Sequence, residues 1–386
     1  QKFLPYGKHH LTKRDIFSLF KVLKGPNLTQ GDYVPTFEKS LSKKVNSKYA
    51  VAVNSATSAL HLICLALNLK KNDWLWTSAN TFVASANCGR YCDASIDFVD
   101  INPNTGLICI DALERKLKIA KNNNKLPKIF VAVHFAGASC DMERIWDLSK
   151  KYNFKIIEDA SHALGGHYKG HIVGKCQYSI ATVFSFHPVK ILTTGEGGAI
   201  TTNDKNLAQK ISLLRSHGIT KNPAEFENKF YSEWSYEQKF LGFNYRMSDI
   251  HASLGISQLK RLDKIVKERN KQFKYYEHIL KDLPVNLLEI PPQVKSTIHL
   301  AIIRLSNKEA SFHKEIFTSL RSAKIGVQVH YSPVHLHPYY KKLGFKEGDF
   351  PNAEFHANNS ITIPLYIGLS TRDQDRVAKK LKALLL

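Results

Sequence analysis

The sequence predicts an α/β protein, with a large domain on a mostly parallel, mixed sheet and a smaller C-terminal α+β domain. Three observations predict it. Short runs of β-branched and aromatic residues alternate with helical patterns through the first half of the chain, a rhythm that calls for crossover connections and hence parallel strands. The alternation weakens between Pro223 and Tyr245 and resumes in a different order. At 386 residues the chain also exceeds the roughly 250 that one core usually supports.

In order, YAVAV (49–53) is the first strand and runs into the helical SATSALHLICLALNL (55–69). WLWTS (74–78) precedes the helix TFVASANCGRYC (81–92). SIDFVDI (95–101) and KIFVAVHF (128–135) are strands, followed by the helix MERIWDLSKKYN (142–153) and the strands KIIED (155–159) and IATVFSF (180–186). AITTND (199–204) leads to the helix KNLAQKISLLRSHG, which Gly218 can end in a left-handed cap. After an aromatic, polar connection, Ser248 is the N-cap of one long amphipathic helix carrying Ile250, Leu254, Leu259, Leu262, Ile265 and Val266. A strand IHLAIIRL (298–305), a helix HKEIFTSLRSAK (313–324) closed by Gly326, strands VQVHY (327–331) and SITIPLY (360–366), and a final helix from Thr371 complete the chain. The expected division is 1–248 and 249–386.

A hydrophobic content of 43% with 23% charged residues is ordinary for a soluble globular protein. No apolar run approaches the roughly 18 residues of a membrane span. The amino end, QKFLPYGKHHLTKRD, lacks the apolar core of a secretory signal, so the expectation is a cytoplasmic protein without a membrane partner. The six cysteines have no paired metal spacing and read as reduced thiols. Cys88 and Cys92 can share a helix face, but two ligands do not close a metal site, so no metal is expected. A formal charge of +22 raises nucleic acid, anionic lipid or an anionic small molecule. Lysine is spread along the whole chain without a basic arm, which argues against nucleic acid and suits a phosphorylated ligand.

Ligands of open α/β sheets settle beyond the carboxyl ends of the strands. Three such positions carry chemistry. Ser55, Ala56 and Thr57 open a helix directly after VAV, where free amides and the positive dipole end can hold a phosphate; a plain helix cap is the alternative. Asp159 ends an apolar strand, where a carboxylate needs a cation or several donors unless it caps the next helix. Lys190 lies in SFHPVKILTTGEGG, with Pro188 setting the turn, Ser185 adding a hydroxyl and the glycines allowing close approach; a solvated loop lysine is the ordinary alternative. An amine, a carboxylate and an anion cradle at three strand ends of one sheet match the three handles of pyridoxal 5′-phosphate (PLP). Phe82, after WLWTS, is available to stack on its ring, core packing being its other role.

These residues resemble the DegT/DnrJ/EryC1/StrS family of fold-type I, PLP-dependent sugar aminotransferases, and the likeness covers nearly the whole chain. It rests on LTQG (28–31), NSATSAL (54–60), TFVASAN (81–87), VHFAG ending at Gly137, EDASHALGG (158–166), FSFHPVKILTTGEGG (184–198), LRSHGI (214–219) and GFNYRMSDIHASLGISQL (242–259). By position, the resemblance implies that Lys190 is the Schiff-base lysine and Asp159 the partner of the pyridine nitrogen. His162 stands beside the phenolic oxygen, Phe82 stacks, and Ser55, Ala56, Thr57 and Ser185 hold the phosphate. It further implies a homodimer with shared sites, in which Asn244 reaches the neighbouring subunit's phosphate group. Thr29 in LTQG, and His330 with Tyr331, would line the sugar side; Arg246 is an anion contact or a member of a structural ion pair. NSATSAL, ASHALGG and VQVHYSPVHLHPYY are most similar to the branch serving pseudaminic acid biosynthesis. That implies transfer of the amine of L-glutamate to C4 of a UDP-linked 4-keto-6-deoxy-N-acetyl-hexose, giving UDP-4-amino-4,6-dideoxy-N-acetyl-β-L-altrosamine. Amination of another nucleotide-linked keto sugar, or a catalytically silent PLP-binding regulator, are the rival readings. Retention of Lys190 sets the chain apart from dehydratase relatives with histidine there, and its dispersed cysteines argue against an iron–sulfur variant.

Overall fold

The computed structural model describes residues 2–228, 231–306 and 310–386. Its central sheet has seven strands: β1 (Tyr49–Val53), β2 (Trp74–Ser78), β3 (Ser95–Val99), β4 (Ile129–Val133), β5 (Lys155–Asp159), β6 (Ala181–Ser185) and β7 (Gly198–Thr202). They lie in the order β1-β7-β6-β5-β4-β2-β3, and every pairing is parallel except the two made by β7. The α/β reading with a mostly parallel, mixed sheet therefore describes this layer. β4 explains why such strands read as unbroken apolar runs: all five residues are buried, with Ile129, Val131 and Val133 in one core and Phe130 and Ala132 in the other.

Helices cover both faces. α1 (Lys13–Leu23) and α2 (Tyr33–Val45) precede β1. α3 (Ala56–Ala66), α4 (Ala84–Arg90), α5 (Ile110–Asn122), α6 (Met142–Tyr152) and α7 (Lys205–Arg215) connect or follow the strands. α3, α4 and α7 share one core with Val53, Ile157 and Ile200, whereas α5 and α6 pack on Trp76, Phe130 and Ile156. The sequence reading passed over α1, α2 and α5. Their apolar period was there to be read, as in KRDIFSLFKVL, where Ile16, Phe17, Phe20 and Leu23 stay exposed and Val22 is buried.

After Ser248, which caps the next helix by accepting the His251 amide, the structure corrects the expected single long helix. α8 (Asp249–Leu259) and α9 (Leu262–Leu280) meet at Lys260–Arg261, where Arg261 leaves helical geometry and places Nη2 2.8 Å from Asp15 Oδ2, a carboxylate buried under α1. A second sheet follows, of antiparallel β8 (Val285–Leu287), β9 (Ala301–Leu305) and β10 (Ser360–Ile363). It is flanked by α10 (Ala310–Ser322), α11 (Pro338–Lys341), α12 (Pro351–Asn359) and α13 (Thr371–Leu385). VQVHY is not a strand: it makes a single bridge, Gln328 to Thr362, and then leaves the sheet to carry His330 and Tyr331 toward the large sheet. Nor does Gly326 close α10. Lys324 takes the left-handed turn at φ 58°, and Gly326 is small because a Cβ there would lie 2.9 Å from the Leu4 carbonyl. Gly218, at φ 73°, does end α7 beside His217.

The two layers are laced together. Leu4 joins the core of the second sheet through a bridge to Ile325, and Val334, Tyr340, Phe350 and Ala353 pack back into the core of the first. Among the described residues, no helix is long and apolar enough to cross a membrane.

Candidate active site

Because β1, β2, β4, β5 and β6 all point the same way, the segments leaving them meet along one edge. β7 returns antiparallel beside β6, so the connection 186–197 must turn back over that edge, which is where Lys190 stands. A cavity of about 370 Å³ opens there, lined by Ser55, Ala56, Thr57, Phe82, Asp159, His162, Ser185, Lys190, His330 and Tyr331. Ten of the thirteen residues singled out from the sequence thus share one space, although they span some 275 positions of chain.

The Lys190 amide bonds the His187 carbonyl at 2.9 Å, closing the turn that Pro188 begins. Among the described residues its ammonium has no hydrogen bond and no ion pair. Burial pushes it down to about 8, partly offset by the Asp159 carboxylate. Lys190 is half-buried in the lining of the cavity, a place unlike that of a solvated loop lysine.

The anion cradle is built by α3. Ser55 caps it, Oγ accepting the Ser58 amide at 3.1 Å, which leaves the Ala56 and Thr57 amides without acceptors within the helix. Here a helix cap and free backbone amides coexist at one helix start. Gly198 makes the turn possible: a Cβ there would lie 2.5 Å from the Ala56 nitrogen and 2.7 Å from the Ser55 carbonyl oxygen. Gly198 pairs with Val53 on one side and Ser185 on the other, so the cradle, β7 and the Ser185 hydroxyl are held in register.

Asp159 does not cap a helix, since none follows β5. Its Oδ2 accepts Ser85 Oγ at 2.7 Å, and Oδ1 accepts the Ser161 hydroxyl at 2.6 Å and amide at 3.2 Å. Those donors satisfy a carboxylate only 7% exposed and aim it into the cavity. One residue earlier, buried Glu158 anchors the strand end, accepting His134 Nε2 at 2.7 Å and the hydroxyls of Ser179 and Thr182. The Cys140 amide donates to His134 Nδ1 at 3.3 Å, so the ring proton sits on Nε2 and points at Glu158.

His162 is buried, its Nε2 3.2 Å from the Tyr331 hydroxyl. Burial, with Lys190 and His330 adding to it, holds His162 well below the ordinary imidazole range, so it is neutral at physiological pH. Burial likewise takes His330 down to about 3 and raises the Tyr331 phenol. Phe82 is 59% exposed beside Tyr331, their ring centres 6.3 Å apart. That is a ring displayed at a cavity, not core packing.

Three residues fall outside the cavity. Thr29 is exposed in a turn fastened by buried Asp249, whose Oδ2 accepts the Gly31 amide at 2.6 Å. Asn244 is exposed and bridges Ser216. Arg246 donates to Ser216 Oγ at 3.0 Å and pairs with no carboxylate among the described residues. Sequence reasoning missed Tyr6, Ser85, Ser161, Glu196 and His299. Ser85 and Ser161 lay within quoted motifs as residues i+4 of Thr81 and i+2 of Asp159, spacings that signal side-chain hydrogen bonds. Tyr6 and His299 carried no local signal.

The model of the DegT/DnrJ/EryC1/StrS aminotransferase family matches residues 10–382. The chain is 39% identical over 383 residues to the UDP-4-amino-4,6-dideoxy-N-acetyl-β-L-altrosamine transaminase of Campylobacter jejuni subsp. jejuni, covering 99% of this chain and 97% of that one. Among solved structures it superposes on Helicobacter pylori PseC, an aminotransferase involved in the biosynthesis of pseudoaminic acid, with a TM-score of 0.90, 33% identity and coverage of 100% and 99%. It also superposes on the Streptococcus pneumoniae protein Spr1654 in its PLP-form, with a TM-score of 0.89, 28% identity and coverage of 99% and 98%.

Proposed function

Given that this chain belongs to the DegT/DnrJ/EryC1/StrS family of PLP-dependent aminotransferases, we propose that it moves the amino group of L-glutamate to C4 of a UDP-linked 4-keto-6-deoxy-N-acetyl-hexose. The product would be UDP-4-amino-4,6-dideoxy-N-acetyl-β-L-altrosamine. The observation that carries the chemistry is a Lys190 amine, without a partner among the described residues, in one cavity with the Asp159 carboxylate and the Ser55–Thr57 helix start. The choice of sugar is supported by the likeness to the Campylobacter transaminase and to PseC.

The residues fit PLP. Amides of Ala56 and Thr57 with the Ser55 and Ser185 hydroxyls suit its phosphate, Asp159 suits a protonated pyridine nitrogen, and Phe82 offers a face to the ring. When bound, the cofactor supplies an aldehyde that amines can join and a ring that takes up an electron pair. Lys190 would be the amine that holds that aldehyde and, when free of it, the base that would carry the glutamate α-proton. An ammonium lowered to about 8 makes this possible: near pH 7.5 roughly a quarter of it is neutral, against about one part in a thousand for an ordinary lysine. Asp159, oriented by its serine donors, would steady positive charge on the ring. Neutral His162 presents a hydrogen-bonding nitrogen to the phenolic oxygen without adding charge. His330, Tyr331, Thr29 and Arg246 are assigned to the sugar nucleotide. Asn244, exposed in this chain, is assigned to the neighbouring subunit's phosphate in a homodimer. We keep the division at 248/249, the first part carrying the cofactor and the second closing the cavity with His330 and Tyr331.

The test is the visible absorbance of the PLP-loaded protein with L-glutamate, followed by the UDP-4-keto sugar. Bleaching, release of 2-oxoglutarate and recovery of colour with appearance of the 4-amino sugar are expected. Lys190→Ala should bind the cofactor without either half-reaction. Turnover by Lys190→Ala without added amine refutes the role of Lys190, and bleaching by glutamate with recovery only by a different keto sugar refutes the substrate. A protein that binds PLP but never releases 2-oxoglutarate is the silent regulator.

A further inference from the structure

His299 lines the cavity with 4% of its surface exposed, and its Nδ1 is enclosed with no hydrogen-bond partner. Its ring centre stands 4.2 Å from that of His162, the planes tilted by 39°. The backbone that delivers it is under constraint. Ile298 has a φ of 51°, a left-handed conformation that a β-branched side chain resists.

Several contacts enforce it. Buried Arg269 donates from Nε to the Ile298 carbonyl at 2.7 Å and from Nη2 to the His299 carbonyl at 2.6 Å. The His299 amide bonds the Ala136 carbonyl at 2.8 Å, just beyond β4, and the Thr297 hydroxyl bonds the His162 carbonyl at 2.7 Å. Gly137 is small for the same reason, because a Cβ there would lie 2.8 Å from the His299 amide. A buried cation, a strained residue and a bare glycine thus combine to place one imidazole on the face of another.

His162 needs such a support. Tyr331 holds Nε2 alone, while Nδ1 is buried without a partner. A ring pinned by one weak hydrogen bond can still swivel, unless a flat group blocks its face. We propose that His299 is a positioning residue for His162: its ring backs the His162 imidazole and, together with the Tyr331 hydroxyl, fixes the ring plane offered to the cofactor. This rests on the assignment of His162 to the cofactor's phenolic oxygen. The groups facing the pair are Lys190, His330 and Tyr331 in the cavity and Arg269 behind it, with Asp159 beyond Tyr331. Only Lys190 and Arg269 carry positive charge near neutrality, which favours neutral rings.

The experiment compares wild type, His299→Phe and His299→Ala by histidine ¹⁵N NMR from pH 5 to 9 on the unloaded protein, then by kinetics on the loaded one. In wild type and His299→Phe the His162 resonances should stay neutral with one tautomer throughout. In His299→Ala water fills the gap, and His162 should titrate near the ordinary value of about 6.5. For the loaded enzyme, His299→Ala should lower kcat by about 10–100-fold with little change in the KM for glutamate, and His299→Phe should recover to within about threefold. If His299→Ala does not fold, His299→Leu takes its place, filling the volume without the flat face. The proposal is overturned if the Ala variant leaves the His162 titration and kcat unchanged, if the Leu variant leaves kcat unchanged, or if Phe is as damaging as Ala. Should no variant, wild type included, transaminate, the function above fails while the NMR comparison still decides the role of His299.

Discussion

Replacing Gly198 by alanine tests the cofactor cradle without altering any side chain assigned to the ligand. The residue has no positive φ to strain; the damage is steric. The added Cβ would lie 2.5 Å from the Ala56 nitrogen, and ordinary contact begins at 3.4 Å, so the Ser55–Ala56 turn must retreat by about 0.9 Å. It cannot retreat by sliding β7, which is paired on both sides. The Ala56 and Thr57 amides therefore move away from the phosphate, and misplacement near 1 Å in a preorganised site is worth about 10²-fold. We expect PLP affinity to fall about 10–100-fold, measured by absorbance titration of the unloaded protein, with kcat falling less once the cofactor saturates. Gly7→Ala is the control, because its Cβ would meet Val189 at an ordinary 3.6 Å. A Gly198→Ala protein that binds PLP within twofold of wild type, while thermal unfolding shows the chain intact, would refute the cradle.

Asp159→Ala should leave the fold and cofactor binding largely intact but cost about 10²–10³-fold in kcat, because no anion then faces the ring nitrogen; unchanged single-turnover rates of bleaching by glutamate count against that role. The folded Lys190 titrates at about 8, below its ordinary 10.5, so the unfolded chain binds the extra proton between those values and stability of the unloaded protein rises with pH across that window. Lys190→Met should therefore raise the melting temperature at pH 7, by an amount that shrinks toward pH 10.5; equal gains at both ends would contradict it. Arg269→Ala strands the carbonyls of Ile298, His299 and Leu365 and should destabilise by about 3 kcal/mol or more in urea unfolding. A loss within the noise would mean that water replaces the guanidinium.

Much of the large sheet was legible because its strands are short and largely buried, and the first five are separated by single α-helices. WLWTS and KIIED coincide with β2 and β5 to the residue. Errors arose where tertiary contacts override local pattern. LGISQLKRLDKIV keeps its apolar period across Lys260–Arg261, but Arg261 is held there by Asp15 and His10, far back in the chain, and the helix breaks. VQVHY has the composition of a strand, but the His356 ring takes the His330 carbonyl at 3.0 Å and Asn80 takes the Tyr331 amide at 3.0 Å, so those groups cannot also pair in a ladder.

The site divides along the same line. Groups assigned to the cofactor leave the ends of parallel strands, where position in the chain and place in space are coupled, and so Ser55, Asp159 and Lys190 could be read from sequence. The wall opposite is assembled from Tyr6, His299, His330 and Tyr331, brought in by the amino-terminal segment and the second sheet. Tyr6 arrives because its carbonyl accepts the Leu365 amide at 3.0 Å, and its ring lies 5.5 Å from His330. No local pattern encodes such a meeting. We assign the Tyr6 and His330 part of that wall to the ketone, while His299 and Tyr331 also steady His162 on the cofactor side. Substitutions at Tyr6 should therefore change which keto sugar restores colour after bleaching by glutamate, while leaving the bleaching step within about threefold of wild type. Slowing of both steps alike by Tyr6→Phe and Tyr6→Ala would place that ring on the cofactor side and contradict the division.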